Sequence, residues 1–228
     1  MWRAVRNSFL LGRSTRRWGA EIFGVADIAP VRDGFAIAPE TAARYDKAVV
    51  LGVPLSAAVL EEIVEGPTKL YYHHYRMVNL FLDQLALRTV RWIERSGSSA
   101  LAVPASQITD WQNQKAHLSH KKMGELAGIG WLGRSNLLVH PRFGARFRLA
   151  TVLTDMPLRV GRPRRGGCGA CRACVTVCPA GAIHETAADF DHRACFKTLQ
   201  GFQQKNIVGQ YICGVCVKAC RGQRGDHK

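Results

Sequence analysis

Cys168-Gly169-Ala170-Cys171-Arg172-Ala173-Cys174-Val175-Thr176-Val177-Cys178-Pro179 organises the reading of this 228-residue chain. Three cysteines follow one another at intervals of three, and a fourth comes after a longer spacer and precedes proline. This is the cysteine run of bacterial ferredoxins. Three thiolates so spaced wrap three corners of one cubane in a tight loop, while the fourth points away and serves a second cluster. A second set, Cys195 with Cys213-x2-Cys216-x3-Cys220, supplies the rest. In crossed ligation one [4Fe–4S] cluster takes Cys168, Cys171, Cys174 and Cys220. The other takes Cys178, Cys195, Cys213 and Cys216, and no cysteine is left over. One irregularity stands: Arg221, not proline, follows Cys220.

The alternatives fit less well. Structural zinc sites use two separated cysteine pairs. A disulfide scaffold does not begin with 167 residues free of cysteine. Metal-ligand spacing implies a reducing compartment, hence the cytoplasm. Gly169, Ala170, Ala173 and Gly214 are small enough for close wrapping and leave backbone N–H groups free to approach sulfur. Arg172, Lys197 and Lys218 either raise cluster potentials or are solvated surface charges.

Upstream of this segment the pattern is α/β. Residues 21–28 and 48–53 have the length and composition of strands. Residues 68–95 repeat Tyr71, Tyr75, Val78, Leu82, Leu85, Thr89 and Ile93 at steps of three and four, opposite Arg76, Asn79, Asp83, Arg91 and Glu94, which specifies a long amphipathic helix closed by Ser96-Gly97. Residues 99–104 suit another strand. Ser119 is a candidate N-cap and Gly128 a candidate C′ residue of a second helix. Residues 135–140 and 145–154 flank Pro141-Arg142-Phe143-Gly144 and read as a β-hairpin. Residues 159–167, rich in Arg, Pro and Gly, mark a boundary. The expected division is an α/β domain over 1–160 and a ferredoxin-like double-cluster domain over 161–228.

Composition narrows the partners. The formal charge is +15, about +7 over residues 1–158 and about +8 over the last 70. Such a balance favours acidic partners such as nucleic acid, an acidic electron donor or an anionic cofactor, with a solvated basic surface as the plain alternative. Apolar runs are of strand size, short of the roughly 18 residues that span a bilayer, so no membrane partner is expected. The acid-free first 20 residues, with Arg3, Arg6, Arg13, Arg16 and Arg17, are read as a basic first helix or frayed terminus in preference to a transit peptide.

Gly128-x-Gly130-x-x-Gly133, with Asp155 about twenty residues on, matches the dinucleotide fingerprint in spacing. That motif must follow a strand and open a helix. Here it follows a helix cap and leads into a strand, so nicotinamide and flavin binding are set aside. The glycines mark a sharp turn or a close approach of backbone to something bulky.

The run Ser119-His120-Lys121-Lys122-Met123, then Ala127-Gly128-Ile129-Gly130-Trp131-Leu132-Gly133-Arg134-Ser135-Asn136-Leu137-Leu138, then Leu153-Thr154-Asp155, followed by the two cysteine sets, resembles the epoxyqueuosine reductase family over about residues 20–220. The resemblance implies an α/β domain similar to corrinoid-processing proteins, with a mixed sheet and flanking helices, holding cobalamin beside the double-cluster domain. Electrons from an external low-potential donor would pass through two [4Fe–4S] clusters to cobalt, which would act on an epoxide in a modified tRNA base. It places Gly130, Trp131, Gly133 and Arg134, with Ser106 and His120, near the corrinoid.

Each of these residues also has a plainer reading. Ser106 is otherwise a loop serine, His120 a surface residue of a capped helix, His140 a turn residue, and Trp131 core packing. Tyr72, Tyr75, Arg76 and Asn79 look like one branch of that family, with Tyr75 facing the core. Two departures mark a short, divergent branch. The family's aspartate is absent around Val103-Pro104-Ala105-Ser106, where Asp110 is the nearest acid downstream, and the chain stops eight residues after Cys220 without a helical-repeat extension. The first expectation is a cobalamin-dependent iron–sulfur reductase, monomeric. The second is an electron carrier that reduces a corrinoid or another redox partner. The third is an RNA-binding protein with structural clusters.

Overall fold

The computed structural model describes residues 2–222. In chain order the elements are α1 (Trp2–Arg17), β1 (Ile22–Asp27), α2 (Pro39–Ala42), β2 (Lys47–Pro54), α3 (Ala57–Glu61), α4 (Lys69–Arg95), β3 (Ala100–Val103), α5 (His120–Leu126), β4 (Trp131–Leu132), β5 (Leu138–Val139), β6 (Phe147–Thr154), α6 (Ala173–Thr176), α7 (His192–Gln204) and α8 (Val215–Ala219). They form two compact units. The first takes residues 2–53, 79–129 and 148–164, and the second takes 54–78, 130–147 and 165–222. The expected linear division at 160/161 lies close to the last crossing, at 164/165, but segments 54–78 and 130–147 also belong with the cysteine segment.

The first unit is built on a four-stranded sheet of order β1-β2-β6-β3. β1 and β2 pair antiparallel from Ile22 opposite Gly52 to Asp27 opposite Lys47, and β3 and β6 pair antiparallel from Ala100 opposite Thr154 to Val103 opposite Thr151. The inner strands β2 and β6 are buried almost throughout, which explains why each reads as an apolar run without alternation. Helix α4 is where its periodicity puts it. Tyr71, Tyr75, Val78, Leu82, Leu85, Thr89 and Ile93 are all buried, and Gly97 takes φ +81° just beyond its end. Asn79 departs from the expected polar face. It is buried because its side-chain oxygen accepts from Arg148 Nε at 3.0 Å.

One expectation is corrected. The four-residue turn at 141–144 exists, closed by reciprocal hydrogen bonds between His140 and Gly144 at 2.8 Å. Its flanks do not form a hairpin together. β5 pairs with β4, Trp131 opposite Val139 and Leu132 opposite Leu138, while β6 joins the main sheet. A strand as buried as β6 needs neighbours on both edges, and the two-residue β5 cannot supply one. The basic first segment is an ordered helix, with Leu11, Gly12 and Thr15 buried. Among the described residues no helix is long and apolar enough to cross a membrane.

Leu82 is fully buried on α4 in the first unit. Leu82→Ala should cost about 3 kcal/mol, read as a lower urea midpoint with an unchanged slope.

Candidate metal centre

All eight cysteines lie in the second unit, and none forms a disulfide. Cys168 and Cys171 are joined by a turn in which Cys171 N–H donates to Cys168 O at 2.9 Å. Cys174 rides on α6. Cys178 follows, its carbonyl accepting from Gly181 N–H at 3.1 Å. Cys195 rides on α7, whose N-cap Asp191 accepts from Arg193 and Ala194 N–H at 2.9 Å. Cys216 is on α8, which packs against α6, and Cys220 caps α8 at its C-terminal end.

Electrostatics show which thiols lie close together. Burial pushes Cys174 up to about 11, and the thiolates that add to the effect are Cys220, Cys168 and Cys171. Burial likewise takes Cys195 to about 11, with Cys178, Cys213 and Asp191 adding. Cys216 is raised by burial and then by Cys213, Cys195, Cys178 and Cys174. Burial also raises Cys213 and Cys220, with Cys178 adding to the first and Cys168 and Cys171 to the second. Cys220 thus acts on the first run and Cys178 on the second set. Among the described residues no three His, Cys, Asp or Glu side chains converge on one metal-ion position. A cubane does not ask for that, since each of its four thiolates binds a separate iron at its own corner.

Helix α5 begins and ends as its sequence requires. Ser119 Oγ accepts from Lys122 N–H at 3.3 Å, and Gly128 beyond the C-cap takes φ +74°. The two later glycines are accounted for within the chain. A Cβ on Gly130 would lie 2.0 Å from Val139 O. One on Gly133 would lie 2.6 Å from Val139 Cγ2 and 3.3 Å from Cys168 Sγ. Both allow the close approach of β4 to β5, and Gly133 also to the first cysteine. Trp131 is 6% exposed and packs against Gly166, and its indole N–H is buried without a partner among the described residues. Arg134 turns to the cysteine loop, donating from Nη1 to Cys171 O at 2.9 Å and from Nη2 to Gly169 O at 3.0 Å.

Ser106 and His120 fall in the first unit. Ser106 is exposed on the bend after β3. His120 opens the capped helix half-buried. Its Nε2 lies 2.8 Å from Pro104 O and its Nδ1 2.7 Å from Thr151 Oγ1. A carbonyl only accepts, so Nε2 carries the proton and Nδ1 accepts from the threonine hydroxyl. Both ring nitrogens are thereby engaged, and a role as acid or cobalt ligand would require breaking one of these bonds.

Three further side chains hold the same loop, of which the sequence singles out only Asn79. Asp83 accepts from Ala105 N–H at 2.8 Å, Arg148 Nη2 reaches Ala105 O at 3.5 Å, and Asn79 braces Arg148. Asp110, the nearest acid downstream, is instead a turn residue that accepts from Asn113 N–H and Nδ2. These bonds, the side-chain one foremost, hold its carboxyl below the usual range. His140 Nδ1 accepts from Arg142 N–H at 3.0 Å, as a turn residue should.

Burial lowers His120 to about 4, opposed by the Pro104 carbonyl and reinforced by the Arg148 charge. Its NMR signals should therefore stay those of a neutral ring from pH 8 to about 5. The unfolded chain takes up a proton near 6.5 that the folded chain refuses until about 4. The stability this residue contributes is therefore complete above 6.5 and lost as pH falls through that window. A ring titrating near 6.5 in the folded protein would refute this. Gly130→Val should open the β4–β5 pair and abolish cluster assembly, because the displaced Val139 backbone and the Cys168 thiol share one packed layer. Iron analysis and circular dichroism on one preparation check it.

No family model matches the sequence. The epoxyqueuosine reductase of Escherichia coli K12 is 40% identical over 84 residues, covering 37% of this chain and 22% of that protein. That of Synechococcus sp. CC9605 is 29% identical over 185 residues, covering 75% of this chain and 54% of that protein. The chain thus spans about half or less of the length of these curated relatives. Among solved structures, a reductive dehalogenase described with a mechanism for B12-dependent dehalogenation superposes with TM-score 0.77 at 22% identity, covering 98% of this chain and 32% of that one. An epoxyqueuosine reductase solved with an epoxyqueuosine-modified tRNA stem loop superposes with TM-score 0.59 at 17% identity, covering 96% of this chain and 66% of that one. The fold is that shared by these α/β reductases, and part of the sequence is similar to epoxyqueuosine reductases.

Proposed function

We propose that the chain is an iron–sulfur oxidoreductase that takes electrons from an external low-potential donor, passes them through two [4Fe–4S] clusters and delivers them to cobalamin for reduction of a modified tRNA base. The observation that carries the cluster part is the crosswise proximity of the thiols, Cys220 raising Cys174 and itself raised by Cys168 and Cys171, while Cys178 raises Cys195, Cys213 and Cys216. Five of these thiols, Cys174, Cys195, Cys213, Cys216 and Cys220, are raised by burial, a poor surface for water and a good one for a cubane, which binds thiolate and displaces the proton. Sequence kinship and the shared fold support cobalamin and tRNA, and a charge of +15 suits an RNA partner. Cobalamin, when reduced, supplies a low-valent, nucleophilic cobalt. What this chain's residues supply is a fixed loop at 104–106, a neutral His120 and thiol ligands. The working form is a cytoplasmic monomer.

A second reading has its own support. Of the six residues expected around a corrinoid, Gly130 and Gly133 are filled by the chain's own atoms and Arg134 is engaged with the cysteine loop. An electron carrier that reduces a partner needs no corrinoid pocket of its own. Cobalamin titration of the cluster-loaded protein decides between the two. One equivalent bound supports the reductase, and eight irons with no cobalamin uptake support the carrier.

Reconstituted protein should hold about eight irons and eight sulfides. Cys178→Ala should damage the cluster of Cys195, Cys213 and Cys216 and spare that of its sequence neighbours, and Cys220→Ala should do the reverse. Resonance spectra in which each variant loses its own neighbours' cluster would exclude crossed ligation.

A further inference from the structure

The carbonyls of Gly169 and Cys171 both face the Arg134 guanidinium, at 3.0 and 2.9 Å. Peptide units are planar, and every one among the described residues is trans. In a trans unit the C=O and the following N–H point in opposite directions. Fixing the two carbonyls toward Arg134 therefore fixes the N–H groups of Ala170 and Arg172 away from it. These two N–H groups donate to no backbone carbonyl among the described residues. They belong to the loop that carries Cys168 and Cys171, and the residue before Arg134 abuts the Cys168 sulfur, since a Cβ on Gly133 would lie 3.3 Å from Sγ.

The grip is built rather than incidental. The Arg134 side chain is 14% exposed, and Glu185, 3.7 Å from it, also pairs with Arg172 of the same loop at 2.5 Å. Gly169 takes φ +50° with open space around it, so glycine is required there by the backbone conformation that turns its carbonyl to the arginine and not by crowding.

From this geometry we infer that Arg134 is a positioning residue for the cluster held by Cys168, Cys171, Cys174 and Cys220. It clamps two carbonyls on the outside of the loop, and so aims the Ala170 and Arg172 N–H groups at the cluster sulfurs. The inference rests on the proposed cluster assignment. N–H donation to sulfur stabilises the more negative, reduced cluster and raises its potential. The bidentate fork matters as well as the charge. A lysine can neutralise the region but cannot hold two carbonyls in one plane.

The test uses cluster-loaded full-length protein, with the two clusters followed separately by potentiometric EPR and the first identified by its loss in Cys171→Ser. In the wild type, exchange into D2O should remove proton couplings from the reduced first cluster, as N–H···S bonds require. Their absence overturns the inference whether or not any variant folds. Arg134→Met and Arg134→Lys should both keep eight irons, lower the potential of the first cluster and weaken its exchangeable couplings, with the second cluster unchanged. A lysine variant with wild-type potential and couplings would mean that charge alone acts, which overturns the carbonyl clamp. Unchanged potentials in both variants also overturn it while leaving the cluster assignment intact. Wild-type protein without a cluster on Cys168, Cys171 and Cys174 removes the assignment and this inference together.

Discussion

Bringing Cys220 back to the first cysteine run constrains the rest of the second unit. A Cβ on Gly144 would stand 2.0 Å from Cys220 O, so the turn at 141–144 lies directly against the chain that carries the last thiol. Arg146 holds the neighbouring carbonyl of Lys218 through Nε at 2.9 Å, and Lys218 Nζ in turn donates to Glu61 O and Ile63 O at 2.9 and 2.6 Å. The Glu61 carboxylate also lies within 3.6 Å of Arg146, Lys218 and Arg221. It is half exposed, so each ion pair contributes little. The carbonyl bonds are directional, and they fix where α8 ends. This is why residues 54–78 and 130–147 fold with a cysteine segment far along the chain.

A comparable economy holds the loop after β3 in the first unit. Pro104 and Ala105 offer two carbonyls and one N–H, and three side chains from three elements take them: His120, Arg148 and Asp83. An Arg148 charge beside a ring already disfavoured from protonation by burial keeps His120 neutral. A neutral ring can accept from Thr151 while donating to Pro104, and a charged one cannot. The protonation state and the loop geometry therefore depend on each other.

How much of this was readable from sequence follows the range of the signal. Helix α4 was legible because its apolar period is local and runs for 27 residues. Strands β1, β2, β3 and β6 were legible from short apolar runs, and the cap of α5 from Ser119 and Gly128. The partner of β5 was not legible. Two-residue strands carry no period, and the turn chemistry at 141–144 is equally compatible with strands that part after it. Asn79 reads as solvent-facing until Arg148, 69 residues away, is placed against it. The cysteine spacings were local and strong. The division of the chain between units, which depends on contacts such as Lys218 to Ile63, was not encoded in any window of sequence.

The Gly128-Gly130-Gly133 spacing shows why a motif needs its context. In a dinucleotide fold such glycines clear space for a pyrophosphate. Here each is used up by the chain: Gly128 by a left-handed cap, Gly130 by the Val139 carbonyl, and Gly133 by the Val139 side chain and the Cys168 sulfur. Among the described residues this loop keeps two buried donors without a partner, the indole N–H of Trp131 between two of those glycines and Nε of Arg134 just after the last. A buried donor without a partner is costly.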